Sequence, residues 1–222
     1  MNEASVRIGL FIEGSAQLRL FCEHNGIVPP NIVQVERGHH YYNLGTCAFY
    51  RHRAIDAKVP TVWIMVDKCA LRGYEGRNWS WPGYVVDRTP WGVLLHELGH
   101  HVDHVASDTT QESFEKGLYS YQVYQYSKEK QITGYLGTDS QPATFYKEWF
   151  AEIFRLFAGN PDLCRALRPR FFEFISRRFK PLSSKPWREV IANAPQRIIA
   201  QAEKKIAEAQ GKTPAAEGSL FG

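Results

Sequence analysis

Two histidines four positions apart are the residues of this sequence whose types and spacing point most directly to chemistry. They lie in the stretch His96-Glu97-Leu98-Gly99-His100. On an α-helix, residues four apart are separated by about 40° around the axis and by about 6 Å along it. Both imidazoles can therefore reach one tetrahedral zinc ion, and Glu97 can hold a water molecule on that ion. This spacing is typical of the active-site helix of a metal-dependent peptidase.

A zinc site with two histidines still needs a third protein ligand, with water in the fourth position. A second predicted helix, over residues 145–157, carries Glu148 and Glu152 one turn apart among apolar residues. Carboxylates on so apolar a helix need partners, because an unpaired buried charge is costly. This pair is therefore the best source of the missing ligand.

Three other interpretations of these residues stay open at this point. The first is a histidine-rich surface helix without metal, since four of the eight histidines fall within residues 96–104. In the second, the downstream carboxylates form a surface stripe with a Glu152–Arg155 ion pair. In the third, Asp139 or His104 is the third ligand.

The two segments together resemble the catalytic domain of the lethal factor family of anthrax toxin and the related Pro-Pro endopeptidases of clostridia and bacilli. The segments that match are His96-Glu97-Leu98-Gly99-His100-His101-Val102-Asp103 and Glu148-Trp149-Phe150-Ala151-Glu152-Ile153-Phe154-Arg155-Leu156. The resemblance implies a zincin-like fold of the gluzincin type with one zinc ion. It also implies that Glu148 is the third zinc ligand and that Glu152 orients a zinc-bound histidine.

The same resemblance implies a tyrosine that stabilises the oxyanion. Members of the family place this tyrosine seven residues before the ligating glutamate, but the residue at that position here is Gln141. The shifted equivalent is Tyr135, followed by a short insertion, and the second choice is Tyr146.

The hydrophobic pattern predicts an α+β fold, with a small mixed sheet on the active-site helix and a mainly helical C-terminal half. A helix is expected over residues 15–25, and residues 6–12 are expected to form a short strand or the start of that helix. An edge strand of the sheet is expected to pair with extended substrate, although the sequence does not show which strand this is. The expected strands are 32–36, 47–51 and 61–66.

The length fits a single domain over residues 1–210, followed by a disordered tail over 211–222. Residues 1–88 are expected to supply the N-terminal helix and sheet, and residues 89–210 the helical part with the metal ligands. An aromatic loop precedes the active-site helix, and we expect it either to line a substrate cleft or to cover the core. The candidate cleft residues are Trp79, Trp81 and Tyr146.

Composition excludes several classes of function. Hydrophobic residues make up 44% of the chain, and the net charge of +4 is too small to argue for nucleic acid as a partner. No apolar run approaches the 18 or so residues that a membrane span needs. The N-terminus lacks a signal pattern, so we expect a cytoplasmic protein or one exported by a signal-independent route. Four widely spaced cysteines are expected to be reduced core residues.

The sequence therefore predicts a zinc-dependent endopeptidase that acts on a peptide or protein substrate. In this prediction His96, His100 and Glu148 hold zinc, Glu97 is the general base and Tyr135 stabilises the oxyanion. The alternative is a non-catalytic binding module of zincin fold that zinc stabilises. The sequence does not indicate the oligomeric state or the cleavage specificity.

Overall fold

The protein folds as a mixed α+β structure, described here by a computed structural model over residues 2–53, 58–72, 87–111, 113–132, 142–183, 189 and 194–212. This part of the chain contains a three-stranded sheet and eight α-helices. The strands are β1 (Asn31–Gln34), β2 (Ala48–Arg51) and β3 (Thr61–Ile64). The helices are α1 (Glu3–His24), α2 (Pro90–Ala106), α3 (Phe114–Gly117), α4 (Tyr119–Ser127), α5 (Pro142–Gly159), α6 (Pro161–Leu167), α7 (Pro169–Ser176) and α8 (Gln196–Ala209).

The sheet is mixed, as predicted, and has the order β1-β3-β2. β1 pairs with β3 in parallel, and β2 pairs with β3 in antiparallel orientation with Ala48 opposite Ile64. Every residue of β3 is buried, which explains its nearly continuous apolar sequence. The central position of β3 leaves β2 as one edge of the sheet.

The N-terminal segment is helical throughout, so the expected strand over residues 6–12 is wrong and its helical alternative is correct. Val6, Ile8, Leu10 and Ile12 alternate with other residues as they would in a strand. Tertiary packing overrides this alternation, because the second half of α1 buries residues such as Leu18 against the core. The helix begins after Asn2, whose side chain accepts a hydrogen bond from the backbone N–H of Ser5 at 2.8 Å.

The two helices that carry the predicted site are among the most buried parts of the described chain. In α2, thirteen of the seventeen residues are buried, and in α5 every residue from Trp149 to Gly159 is buried. The helices approach closely at Gly99, where an added Cβ would lie 2.7 Å from the Cα of Ala151. Only glycine at this position allows the two backbones to approach so closely.

The second of these helices, α5, is longer than the predicted 145–157 at both ends. In α2, Pro90 takes the first helical position and Thr89 the cap position. However, the Thr89 hydroxyl makes no capping hydrogen bond. The N–H of Thr89 instead donates a hydrogen bond to Asp87 Oδ1 at 2.8 Å. The turn before the helix is therefore stabilised by a residue that precedes it.

The remaining helices complete one large apolar cluster that also includes side chains from the sheet. α5 ends at Gly159 and α6 begins at Pro161. All four cysteines are free thiols, and Cys22, Cys69 and Cys164 are buried, which agrees with the prediction of reduced core residues. Among the described residues, no helix combines the length and apolarity required to cross a bilayer.

Candidate metal centre

The structure brings together the three side chains that the sequence predicts as metal ligands. One ligand atom from each of His96, His100 and Glu148 lies within 4.8 Å of the other two. The Nε2 atom of His96 is 3.2 Å from Glu148 Oε2, and the Nε2 atom of His100 is 3.4 Å from Glu148 Oε1. His96 is buried, and the other two side chains are half-buried. Two nitrogens and a carboxylate oxygen at these separations could hold a metal ion.

The local fold explains why these atoms converge. His96 and His100 are one turn apart on α2, and Glu148 projects from α5 one turn before Glu152. The close contact between Gly99 and Ala151 lies beside all of them and fixes the spacing of the two helices. A donor set of two imidazoles and one carboxylate is one that catalytic zinc sites use, so the residues present fit a zinc ion.

Glu97 lies beside this cluster and has an unsatisfied carboxylate oxygen. Its side chain is only 5% exposed, yet Oε2 makes no hydrogen bond within the described part of the chain. Glu97 also lines both cavities that meet at the cluster. A buried carboxylate oxygen without a partner is costly, so a group that enters the cluster with a proton to donate would relieve that cost.

A network of charged side chains contacts the His96 ring at Nδ1, on the side away from Glu148. Its Nδ1 atom lies 2.8 Å from Glu152 Oε1 and 2.9 Å from Arg155 Nη2. Arg155 also pairs with Glu152 and donates to the Asp87 carbonyl at 2.7 Å, while Arg88 donates to Glu152 Oε2 at 3.2 Å. A carboxylate at Nδ1 favours the tautomer whose Nε2 lone pair is free for a metal.

The predicted Glu152–Arg155 ion pair exists, but it is not a surface feature. The two side chains are 3% and 2% exposed, and the pair faces the back of His96. The same residues therefore form an ion pair and also support His96. We call the group of His96, His100 and Glu148, which could hold one metal ion, the metal cluster. The interpretation as an exposed stripe is wrong, because the apolar residues of α5 bring its part from Trp149 to Gly159, which includes Glu152 and Arg155, into the core.

The electrostatics of the cluster favour a positive charge at its centre. Burial opposes protonation of His96, but the carboxylates of Glu148 and Glu152 outweigh it and raise its pKa to about 9. Burial acts to raise the pKa of Glu148, yet the charge of His100 and the contacts with both histidines bring that pKa far below its usual value. The pKa of Glu152 is also lowered, because Arg155 and His96 outweigh burial. The Glu97 carboxyl behaves oppositely, and burial raises its pKa.

A cleft of about 660 Å³ opens in front of the cluster. Strand β2 forms one wall through residues such as Ala48 and Tyr50, and α2 and α5 form the other. A second cavity of about 740 Å³ continues from Ala48 and Glu97 in the other direction and includes Lys68 and Arg88. Among the strands that the structure describes, β2 is the edge strand beside the cluster, a position that the sequence did not indicate.

Of the predicted residues that follow here, the structure describes only Tyr146, which is not brought to the cluster. Tyr146 lies outside the cleft, packed against Tyr121 and Tyr124 with ring centroids 5.1 Å from each. The reason is helical geometry, since residues two apart point about 200° apart around α5 and Glu148 faces the cluster. The pKa of the Tyr146 hydroxyl is raised by burial and by Glu115. Trp79, Trp81, Tyr135 and Asp139 lie outside the described residues.

The remaining polar residues of α2 have structural partners. His101 is 1% exposed and contacts the Val28 carbonyl at 2.8 Å and the Tyr50 hydroxyl at 3.1 Å, which fits the expectation that it is not a ligand. Asp103 accepts hydrogen bonds from the N–H of Ser120 at 2.6 Å and from its hydroxyl at 3.0 Å, so it caps α4. His104 is stacked on His52 at 4.6 Å and is not part of the metal cluster.

Sequence reasoning missed Arg88, and it considered Arg155 only as a surface ion-pair partner. A charged residue two positions before the start of a helix has no sequence feature that indicates its function. The one signal was on α5, where an arginine on the stripe of two glutamates indicated that the carboxylates were paired. The partner from outside the helix is visible only in the folded chain.

Comparisons of this chain with protein-family models, with curated proteins and with solved structures gave no match.

Proposed function

We propose that this protein is a zinc-dependent endopeptidase of zincin-like fold. The observation that carries the proposal is the convergence of His96, His100 and Glu148 beside a buried, unpartnered carboxylate oxygen of Glu97. Three ligands with an open fourth side are the arrangement of catalytic zinc sites, whereas structural zinc sites are closed by four protein ligands. A site that only stabilises the fold has no use for Glu97.

Each residue of the cluster has a role in peptide hydrolysis. Zinc, when bound, activates a water molecule and polarises the carbonyl of the scissile bond. Glu97 accepts the proton of the attacking water and delivers it to the leaving nitrogen. Burial raises the pKa of Glu97, which makes its carboxylate a stronger base than an exposed one. Glu152 and Arg155 keep the His96 ring in the orientation that binding requires.

Strand β2 is the proposed binding edge for an extended peptide. Among the described residues it pairs only with β3, so its outward backbone groups are in no strand pairing, although the Ala48 carbonyl accepts a hydrogen bond from the Thr46 hydroxyl at 2.9 Å. A peptide that adds as a further strand gains main-chain hydrogen bonds largely independent of its sequence. The likeness to the lethal factor family supports this interpretation and adds Tyr135 as the proposed oxyanion donor.

The test of the general base is the Glu97→Gln variant. It keeps the size of the side chain and leaves the three ligands in place, so we expect it to bind zinc as the wild type does. Peptide cleavage should fall by several orders of magnitude, because no carboxylate is left to take the proton. Digestion of a peptide library, with and without a chelator, measures the loss. A Glu97→Gln enzyme that cleaves as fast as the wild type contradicts the assignment.

The test of the third ligand is the Glu148→Ala variant. It should lose zinc as well as activity, because two histidines alone leave the ion incompletely coordinated. Metal analysis of the purified variants separates this effect from that of Glu97→Gln. A wild-type protein that binds zinc tightly but cleaves no peptide would instead indicate a zinc-stabilised binding module.

A further inference from the structure

Basic side chains gather at one end of the cleft, away from the metal cluster. We call this group the cationic rim and define it as His52, Arg53, His104 and Lys147; all four line the cleft. His104 stacks on His52 at 4.6 Å. The pKa of His104 is lowered by burial and then by its charged neighbours, so the positive charge of the rim comes from Arg53 and Lys147.

The lysine of the rim is held in place by an aromatic ring. The Nζ atom of Lys147 lies 4.9 Å from the centroid of Phe114, which is 70% exposed and lines the same cleft. Contact with the ring face restricts the ammonium group and adds an apolar surface next to the charges. The end of the cleft is thus both cationic and partly apolar.

The described residues give the cationic rim no ion-paired carboxylate. Arg53 and Lys147 make no ion pair with any carboxylate in this part of the chain. The acidic side chains nearest in the fold have other partners. Glu115 bonds to Tyr146, Asp108 accepts hydrogen bonds from Thr110 and Gln111, and Asp103, which lines the same cleft, caps α4. Like charges that have no ion-pair partner among the described residues repel one another, so an anionic group that binds there relieves that repulsion.

We propose that the cationic rim is a substrate subsite that recognises an acidic side chain of the peptide. This inference rests on the function proposed above and adds to it the chemical class of the preferred substrate. An extended peptide paired with β2 passes from the metal cluster towards Arg51 and Arg53, because β2 forms the wall of the cleft over that distance.

The distance from the cluster sets the position of the acidic residue. His104 is one turn beyond His100, about 6 Å along α2. Arg53 is five residues beyond Ala48, at most about 16 Å along extended chain. An extended peptide advances about 3.3 Å per residue, so the acidic side chain lies about two to five residues from the cleaved bond, on one side of it only.

The experiment compares cleavage of matched peptides that carry Glu or Gln at each of these positions on both sides of the cleaved bond. Arg53 is the variant site, because Lys147 adjoins a proposed zinc ligand in the chain. For the zinc-loaded wild type, we expect kcat/KM to be about fivefold to thirtyfold higher for the best Glu peptide, as two or three exposed charge contacts can supply. Arg53→Glu should remove or invert this preference, and high salt should weaken it.

Arg51→Glu is the matched control. It makes the same charge change two residues away. Arg51 also lines the cleft, but its guanidinium lies over the rings of Phe49 and Tyr41, 5.3 and 5.6 Å from their centroids, and not beside His104 and Lys147. These rings belong to the small apolar cluster around Trp63, whereas Tyr50 packs on the side of the helices. Arg51→Glu should therefore retain most of the preference for the Glu peptide.

A second measurement does not depend on turnover. The Glu97→Gln protein, loaded with zinc, should bind a fluorescent Glu peptide more tightly than its Gln counterpart, and addition of Arg53→Glu should abolish the difference. Cleavage without an acidic preference, or a preference that survives Arg53→Glu, overturns the subsite and leaves the peptidase proposal intact. If the zinc-loaded wild type cleaves no peptide of either kind, the proposed function fails and the subsite fails with it.

Discussion

Replacement of Gly99 by alanine should separate the two helices that carry the metal-binding atoms. The new Cβ would lie 2.7 Å from the Cα of Ala151 and 3.1 Å from its Cβ. Ordinary contact begins near 3.4 Å, so the α2 and α5 backbones must move apart by about 0.7 Å. Because both atoms belong to the backbone or its first carbon, no rotation of a flexible side chain can absorb the clash.

The movement should weaken zinc binding more than it lowers the free energy of unfolding. Overpacking costs about 1–3 kcal/mol, and alanine in a helix recovers about 1 kcal/mol relative to glycine. The net loss of unfolding free energy is then about 0–2 kcal/mol. Metal sites tolerate only about 0.2 Å in ligand distances, so the shift of Glu148 away from the two histidines should weaken zinc binding about tenfold to a hundredfold.

The assay is zinc competition with a chelator, combined with urea unfolding of the metal-free protein. Gly9→Ala is the matched control, because an added Cβ there has no atom within 4 Å and the residue lies inside α1. This variant should gain about 0.5–1 kcal/mol of stability and bind zinc unchanged. The reasoning is refuted if Gly99→Ala gains stability as Gly9→Ala does and binds zinc as the wild type does.

Two further predictions concern the charged groups around His96. Glu152→Gln removes the carboxylate that holds the His96 ring, so zinc affinity should fall about tenfold to a hundredfold, whereas Gln at the exposed, Arg177-paired Glu173 should change nothing; chelator competition measures both. The pKa of His96 is raised to about 9, so below that pH zinc must displace a proton, and apparent zinc affinity should rise nearly tenfold per pH unit from about 6.5 to about 9. For the same reason, protonated His96 stabilises the metal-free fold below about pH 6.5, and urea unfolding should show this contribution lost as the pH rises through about 9.

The local parts of the site could be predicted from the sequence because their spacing is set within one helix. His96, Glu97 and His100 form such a pattern, and α2 presents them as expected. The choice of Glu148 over Glu152 came from the family resemblance, and the structure places Glu148 between the two imidazoles and Glu152 behind one of them. The sequence cannot make this distinction by itself, because residues one turn apart lie on the same stripe.

The parts that could not be predicted depend on contacts between distant segments. The position of β2 at the edge of the described sheet follows from the order in which the strands pair. No property of the four residues of β2 indicates that order. The helical state of residues 6–12 follows from packing of α1 on the core, against an alternating pattern. Arg88 reaches Glu152 across 64 positions in the sequence, and such a partner leaves no periodic signal.

The two-sided character of α5 has a consequence for how this protein can be engineered. One side of the helix supplies the large aromatic core, while the other keeps Glu152 and Arg155 in the interior with Arg88. Replacing such an interior ionic triad with well-fitted apolar residues is often neutral or favourable by about 1–4 kcal/mol. A helix redesigned in this way would make the fold more stable, but it would no longer orient the His96 ring. Under the proposed function, these charges lower the stability of the metal-free protein in order to orient His96, and bound zinc should restore part of that stability.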